Sequence, residues 1–201
     1  MNFEFAKKIN PELESLKFEK VFKIAIAELE KIPSTDFHAV QNMTFIEQVD
    51  AVVNWIDKFY QTASQSNLIK AFYFEMNEFD VNTDMWFIEG FSYNKDGGLN
   101  LENLEHMDWL CDYHAISQNI FTLTGFEHLQ NAFAKIEEKK ENDEWTDEQQ
   151  NARDWCEQII IVKFMELMRE VHLIAKAKRL IWSKIPIYFT EHGYDFIVKS
   201  E

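Results

Sequence analysis

The sequence predicts an α+β domain with an antiparallel sheet of two hairpins. This sheet packs against a layer of about four to five helices, with a long central helix near the C-terminus. Glycine and proline are scarce, at 5 and 3 of 201 residues, which favours long helices over a turn-rich sandwich. Apolar residues recur at helical spacing after capping motifs, and two pairs of aromatic segments flank turns. Because no linker or repeat interrupts the chain, we interpret residues 1–201 as one domain.

The predicted helices begin at capping motifs. Asn10 followed by Pro11 predicts a first helix that ends at Pro33. Three further helices are predicted from capping boxes, in which a threonine precedes a glutamate or glutamine by three positions: Thr44 with Glu47, Thr124 with Glu127, and Thr146 with Gln149. The last box precedes a stretch that is apolar on several sides and extends to about residue 183, so we predict it as the buried central helix.

The first predicted hairpin comprises residues 70–79 and 84–93. A four-residue loop would place Glu89 on the apolar face of the sheet, opposite Phe74. A carboxylate in that position would lose hydration and its pKa would rise, which suits a general acid or base. The alternative is a different register or an exposed strand end.

The second predicted hairpin comprises residues 185–191 and 194–199. A two-residue loop between them would pair Phe189 with Phe196 and place the apolar side chains on one face. Because Pro186 has no N–H to donate, we expect this strand to begin at a sheet edge.

The densest run of potential metal ligands consists of His106, Asp108, Cys111, Asp112 and His114. Zinc needs three or four converging donors. A strand would direct only Asp112 and His114 to the same side, and a helix would bring only Cys111 and His114 together across one turn. Further ligands would have to come from elsewhere, so we predict no cofactor. An enzyme or metal-binding protein that uses this segment remains the alternative function.

The chain carries 35 acidic and 20 basic residues, a formal net charge of −15. This balance disfavours nucleic acid and anionic membranes as partners, since both require neutralisation of phosphates by lysine and arginine. The negative charge is concentrated between Glu102 and Glu157. Within that stretch, Asp143, Glu144, Trp145 and Asp147 combine acids with an aromatic residue, a combination common at protein interfaces. They form the predicted partner surface.

The first residues show no secretory signal, and the two cysteines lack the spacing of a disulfide framework. The sequence therefore predicts a cytoplasmic protein without a spanning helix. We expect a non-catalytic interaction module that binds a basic protein partner, and an immunity-like neutraliser of a basic toxin would fit this description. A homo-oligomer is a further expectation from the aromatic content.

Overall fold

The computed structural model describes residues 3–100, 104–193 and 196–201, with backbone alone at 3–7 and 104–107. Five α-helices, six strands and several short 3-10 helices are found in these ranges. The helices are α1 (Phe3–Glu14), α2 (Phe18–Leu29), α3 (Val49–Ala63), α4 (Glu127–Glu141) and α5 (Asp147–Ala177). The strands are β1 (Ala71–Met76), β2 (Phe87–Tyr93), β3 (Ala115–Ile116), β4 (Phe121–Thr122), β5 (Ile187–Glu191) and β6 (Val198–Ser200). The α+β prediction is confirmed at this level.

The sheet is mixed, so the prediction of an antiparallel sheet is wrong. Its order is β3-β2-β1-β5-β6, with β4 also paired to β2, and β1 runs parallel to β5. A parallel pair needs a long crossover connection. α4 and α5, which lie between the two strands in the chain, provide it. The expected edge position of the second hairpin is also wrong, because β5 lies between β1 and β6. Pro186 precedes β5, and its carbonyl accepts a hydrogen bond from Phe72 N at 3.1 Å.

The register of the first hairpin differs from the predicted one by one residue. Phe74 pairs with Gly90, and Glu75 pairs with Glu89. Glu89 therefore lies on the face opposite to Phe74, because a one-residue shift moves every side chain to the other face. The connection is longer than expected, and Asn77 organises it: its side-chain oxygen accepts from Phe87 N at 2.7 Å.

The second hairpin keeps the predicted face but not the predicted pairs. Phe189 pairs with Val198 rather than with Phe196, a shift of two residues that leaves the apolar side chains on the same face. The hydroxyl of Thr190 donates to the Phe196 carbonyl at 2.8 Å, within the longer connection. Phe189 and Val198 are both buried in the main core.

Helix α5 is central, as predicted. It packs against α2, α3 and β5, and it is buried along most of its 31 residues. Its capping box is confirmed: Gln149 N donates to Thr146 Oγ1, and Thr146 N donates to Gln149 Oε1, both at 3.2 Å. The helix ends at Ala177, earlier than predicted, where Arg179 adopts a positive φ. None of the helices in the described part of the chain has the length and apolar composition needed to cross a membrane.

The other predicted helix starts are wrong. Asn10 and Pro11 lie inside α1, and the single expected helix is divided into α1 and α2 by a reversal at Leu16. α3 begins at Val49 after a short 3-10 turn, without a side-chain cap. α4 begins at Glu127 with Phe126 as its N-cap residue.

Gln48 explains why the second expected capping box does not form. Its side-chain oxygen accepts from Thr124 N at 3.1 Å, and its amide donates to Thr124 O at 3.0 Å. These bonds join the start of α3 to the segment before α4. A long-range contact therefore takes the place of the local cap.

Candidate acidic interaction surface

The segment 106–114 carries the predicted metal ligands on a 3-10 helix (Leu104–Cys111) and the turn after it. Asp108, Cys111, Asp112 and His114 are exposed, and the side chain of His106 lies outside the described residues. Asp112 forms an ion pair with Lys95, Nζ to Oδ2 at 2.9 Å. Among the described residues, no three His, Cys, Asp or Glu side chains are grouped as a metal ion requires. The metal-site hypothesis stays a prediction that the described part of the chain does not support.

The acidic bend, residues Asp143, Glu144, Trp145 and Asp147, lies between α4 and α5. All four residues are exposed, with Trp145 at 38%. The chain reverses here because Asp143 adopts a φ of 56° and Glu144 N donates to the Lys139 carbonyl at 2.8 Å. The reversal directs the acidic side chains into solvent at the N-terminal end of α5.

A second acidic feature lies where β1 ends and β2 begins. Glu75, Glu78 and Glu89 line a cavity of about 240 Å³, which we call the acidic cleft. Its other lining residues are Asn77, Asn82, Phe87 and His192. The sequence identified Glu89 as a candidate site residue, but the predicted register placed its side chain on the wrong face of the sheet.

The cleft contains more negative charge than its own cations balance. Glu75 and Glu89 are directly opposite each other on neighbouring strands, an arrangement of like charges that destabilises a sheet. Glu75 accepts a hydrogen bond from the Tyr73 hydroxyl at 2.9 Å and lies 3.3 Å from His192 Nδ1. In the described ranges, neither Glu78 nor Glu89 forms an ion pair. A cation entering the cleft would relieve this repulsion.

Behind the cleft lies a buried network centred on Arg153, which is 5% exposed. Its Nη2 lies 2.8 Å from Asp80 Oδ2 and 3.3 Å from Glu137 Oε1, and its Nη1 lies 3.5 Å from Glu157 Oε2. The guanidinium also lies 5.5 Å from the ring of Phe133. Arg153 therefore holds the loop after β1 against α4 and α5, and this loop forms one wall of the cleft.

Glu157, which pairs with Arg153, and Glu191 have perturbed pKa values. Burial raises the pKa of Glu157 to about 7, and the neighbouring charge of Asp80 adds to the shift. Burial also raises the pKa of Glu191, at the end of β5, to about 9, with further contributions from Asp80 and Glu157. Because one guanidinium serves several carboxylates, the network favours retention of protons on some of them.

Sequence reasoning missed the Arg153 network. The available indication was Arg153 and Glu157, four residues apart in a helix that was itself predicted to be buried. A charged pair in such a helix is expected to have buried partners.

Cys156 does not offer a nucleophile at the surface. It is fully buried, and burial raises the pKa of its thiol well above the ordinary value. A reactive cysteine needs the opposite, a lowered pKa and access to solvent. The residue packs in the main core.

Comparison of the chain with protein-family models, with curated proteins and with solved structures yields no match. The function is therefore inferred from the surface of the chain itself.

Proposed function

We propose that this protein is a non-catalytic interaction module that binds a basic protein partner through the acidic cleft and the acidic bend. The observation that carries the proposal is the directly opposed pair Glu75 and Glu89, with Glu78 at the same cavity. Such an arrangement costs stability when the cleft is empty of cations. The cost is offset if a lysine or arginine side chain of a partner occupies the cleft.

The loop after β1 supplies apolar contact area beside these charges. Val81 and Met85 are 53% and 40% exposed, and they lie in the same loop as Glu78 and Asp84. Interfaces commonly combine an apolar centre with a charged rim, and methionine adapts its shape to different partners. The surface therefore suits a segment that carries both basic and apolar side chains.

Electrostatics supports the same class of partner. Two acidic features on one molecule create a negative field that accelerates encounter with a basic protein, and salt screens this field. Neutralisation of a basic toxin by an immunity-like protein is one activity that such a surface would perform.

Charge reversal tests the proposal. We expect Glu78→Lys with Glu89→Lys, and Glu144→Lys with Asp147→Lys, to abolish capture of a basic protein by the full chain used as bait in an extract of its source cells. Capture by the wild-type chain should also weaken as salt is raised, because the Debye length falls from about 10 Å at 0.1 M to about 3 Å at 1 M. Quantitative mass spectrometry of the captured proteins measures both effects.

The matched control is Glu14→Lys with Glu30→Lys. It makes the same change of formal charge at exposed positions at the end of α1 and just after α2. The control should retain the partner. If the wild type keeps its partner at high salt and the cleft and bend variants capture the same protein, the proposed surface is wrong.

A further inference from the structure

The C-terminal end of α5 forms a basic pocket. Leu180 N donates to the Ala175 carbonyl at 3.0 Å, and Arg179 adopts a φ of 56°, so the chain reverses into a 3-10 helix (Ile181–Lys184). This reversal places Lys176, Arg179 and Lys184 around a cavity of about 460 Å³. We call these three cations and their cavity the basic pocket.

Two of the three cations of the basic pocket have no carboxylate partner among the residues that the structure describes. For Arg179 and Lys184, no ion pair is present within the described ranges. Lys176 donates to the main-chain oxygen of Glu201. The Glu201 side chain lines the cavity, but it pairs with Lys199, Nζ to Oε2 at 2.8 Å. In a chain with 35 acids and 20 bases, two neighbouring cations without a carboxylate partner are unexpected.

The helix dipole explains only part of this arrangement. Cations in the last turn of a helix interact favourably with its dipole. Lys176 lies in that turn, whereas Lys184 lies beyond the helix. Burial lowers the pKa of Lys176, the nearby charge of Arg169 lowers it further, and the charge of Glu201 raises it. Lys176, Arg179 and Lys184 line one cavity with like charges, so an anion in that cavity would stabilise them.

We propose that the basic pocket binds a small anion that carries a phosphoryl group. The planar guanidinium of Arg179 suits two phosphate oxygens, and the two lysines supply further charge. The volume lies within the range of roughly 300–1,000 Å³ that small-molecule sites occupy. Leu180 lines the cavity and Ile181 is 71% exposed beside it, which provides an apolar edge.

The basic pocket is distant from the acidic bend. A helix rises about 1.5 Å per residue, so the 31 residues of α5 separate its two ends by roughly 45 Å. The acidic bend lies at one end and the basic pocket at the other. A small anion in the pocket therefore makes no contact with the acidic bend.

Pyrophosphate is the probe, titrated into the full chain at constant ionic strength and followed by backbone amide NMR. We expect saturable shifts confined to residues 176–184 and to Glu201, which also lines the cavity. Arg179→Gly should weaken the affinity by about tenfold or more, since a charge-assisted pair contributes on the order of 1.5–3 kcal/mol. This variant also relieves backbone strain, so a loss of binding cannot be attributed to unfolding.

Two variants serve as controls. Lys178→Gln removes a cation that points to Asp50 instead, at 2.6 Å, and Asp143→Gly makes the same backbone change at the far end of α5. Both should keep the wild-type affinity within about twofold. Absence of saturable shifts overturns the proposal, as does equal affinity in Arg179→Gly and the wild type. Preference for an acidic peptide over pyrophosphate overturns it as well.

Discussion

Three residues other than glycine adopt a positive φ in the described chain: Leu16, Asp143 and Arg179, at 55°, 56° and 56°. Each lies just after a helix, where its N–H and that of the next residue bond to carbonyls of the last turn. This is the Schellman motif, which usually has glycine at that position. With 5 glycines in 201 residues, the protein ends three helices with side chains that the left-handed conformation disfavours.

Glycine at these positions should therefore stabilise the protein. We expect Arg179→Gly to raise the free energy of unfolding by roughly 0.5–1 kcal/mol, because the relief of left-handed strain exceeds the added entropy of the unfolded chain. Asp143→Gly should gain less, since aspartate tolerates this conformation better than arginine does. Leu16 contacts the core and is unsuitable for the comparison. Urea denaturation of both variants and the wild type measures these gains in the free energy of unfolding. A loss of stability in Arg179→Gly would contradict the prediction.

His172 shows how a buried side chain is satisfied by partners that are distant in sequence. Its Nε2 lies 3.0 Å from the Ser183 carbonyl, which can only accept, so Nε2 carries the proton. Nδ1 then accepts from the Ser200 hydroxyl at 2.8 Å. Burial lowers the pKa of His172 to about 4, and the charge of Lys176 acts in the same direction. Both partners are distant in sequence, so no local pattern identified them.

At the scale of elements, one of the three predicted capping boxes is present in the structure. Thr146 precedes the longest helix, and both reciprocal bonds are present. Thr44 instead accepts from Ile46 N at 3.1 Å within a local turn, and Thr124 bonds to Gln48. All three motifs have a threonine three positions before a glutamate or glutamine. The capping box forms only before α5, the helix that is central to the core.

Threonine-to-alanine substitutions distinguish the two situations. Thr146→Ala should lower the free energy of unfolding by about 1 kcal/mol, because the N-terminal N–H groups of α5 lose their side-chain acceptor. Thr124→Ala should cost less, since its backbone N–H and carbonyl keep their bonds to Gln48. Thermal and urea unfolding of both variants measures the difference. Equal losses would indicate that the box at Thr146 contributes nothing beyond an ordinary surface threonine.

Local patterns predicted which segments form strands and helices, but not how distant segments meet. The apolar period identified α5, and aromatic composition identified the strands of both hairpins. The parallel pairing of β1 with β5 joins residues more than a hundred positions apart, for instance Phe74 with Phe189. No local pattern encodes that contact. The register of Glu89 depended on the length of the loop between β1 and β2. The Asp80–Arg153 pair, like the pairing of β1 with β5, joins segments that are distant in sequence.

For the whole molecule, acidic groups lie at the N-terminal end of α5 and basic groups at its C-terminal end. The acidic bend precedes its first turn, the Arg153 network lies near its N-terminal third, and the basic pocket follows its last turn. β5 begins shortly after the pocket and ends at Glu191, near the same acidic network. The sequence showed a negative excess followed by a positive one. The fold converts that order into two charged ends, which orient a charged partner as it approaches.

The acidic end also makes stability depend on pH. The folded-state pKa of Glu191, about 9, lies above the ordinary value of 4.5, so the folded protein keeps a proton that the unfolded chain releases between these values. Asp80, Glu157, Glu78 and Glu75 are the acids that act on it. The stabilisation is therefore complete below pH 4.5 and is lost as pH rises towards 9.

Glu191→Gln tests this linkage, because the amide resembles the protonated carboxyl and does not titrate. Between pH 7 and 9 the wild-type free energy of unfolding should fall by up to about 1.4 kcal/mol per pH unit from this one proton. The variant should lose less and be the more stable protein at pH 9. Glu148→Gln, which removes an exposed carboxyl from the first turn of α5, controls for the loss of one negative charge. Parallel pH curves for the wild type and Glu191→Gln would show that the folded protein holds no extra proton on Glu191, which contradicts the prediction.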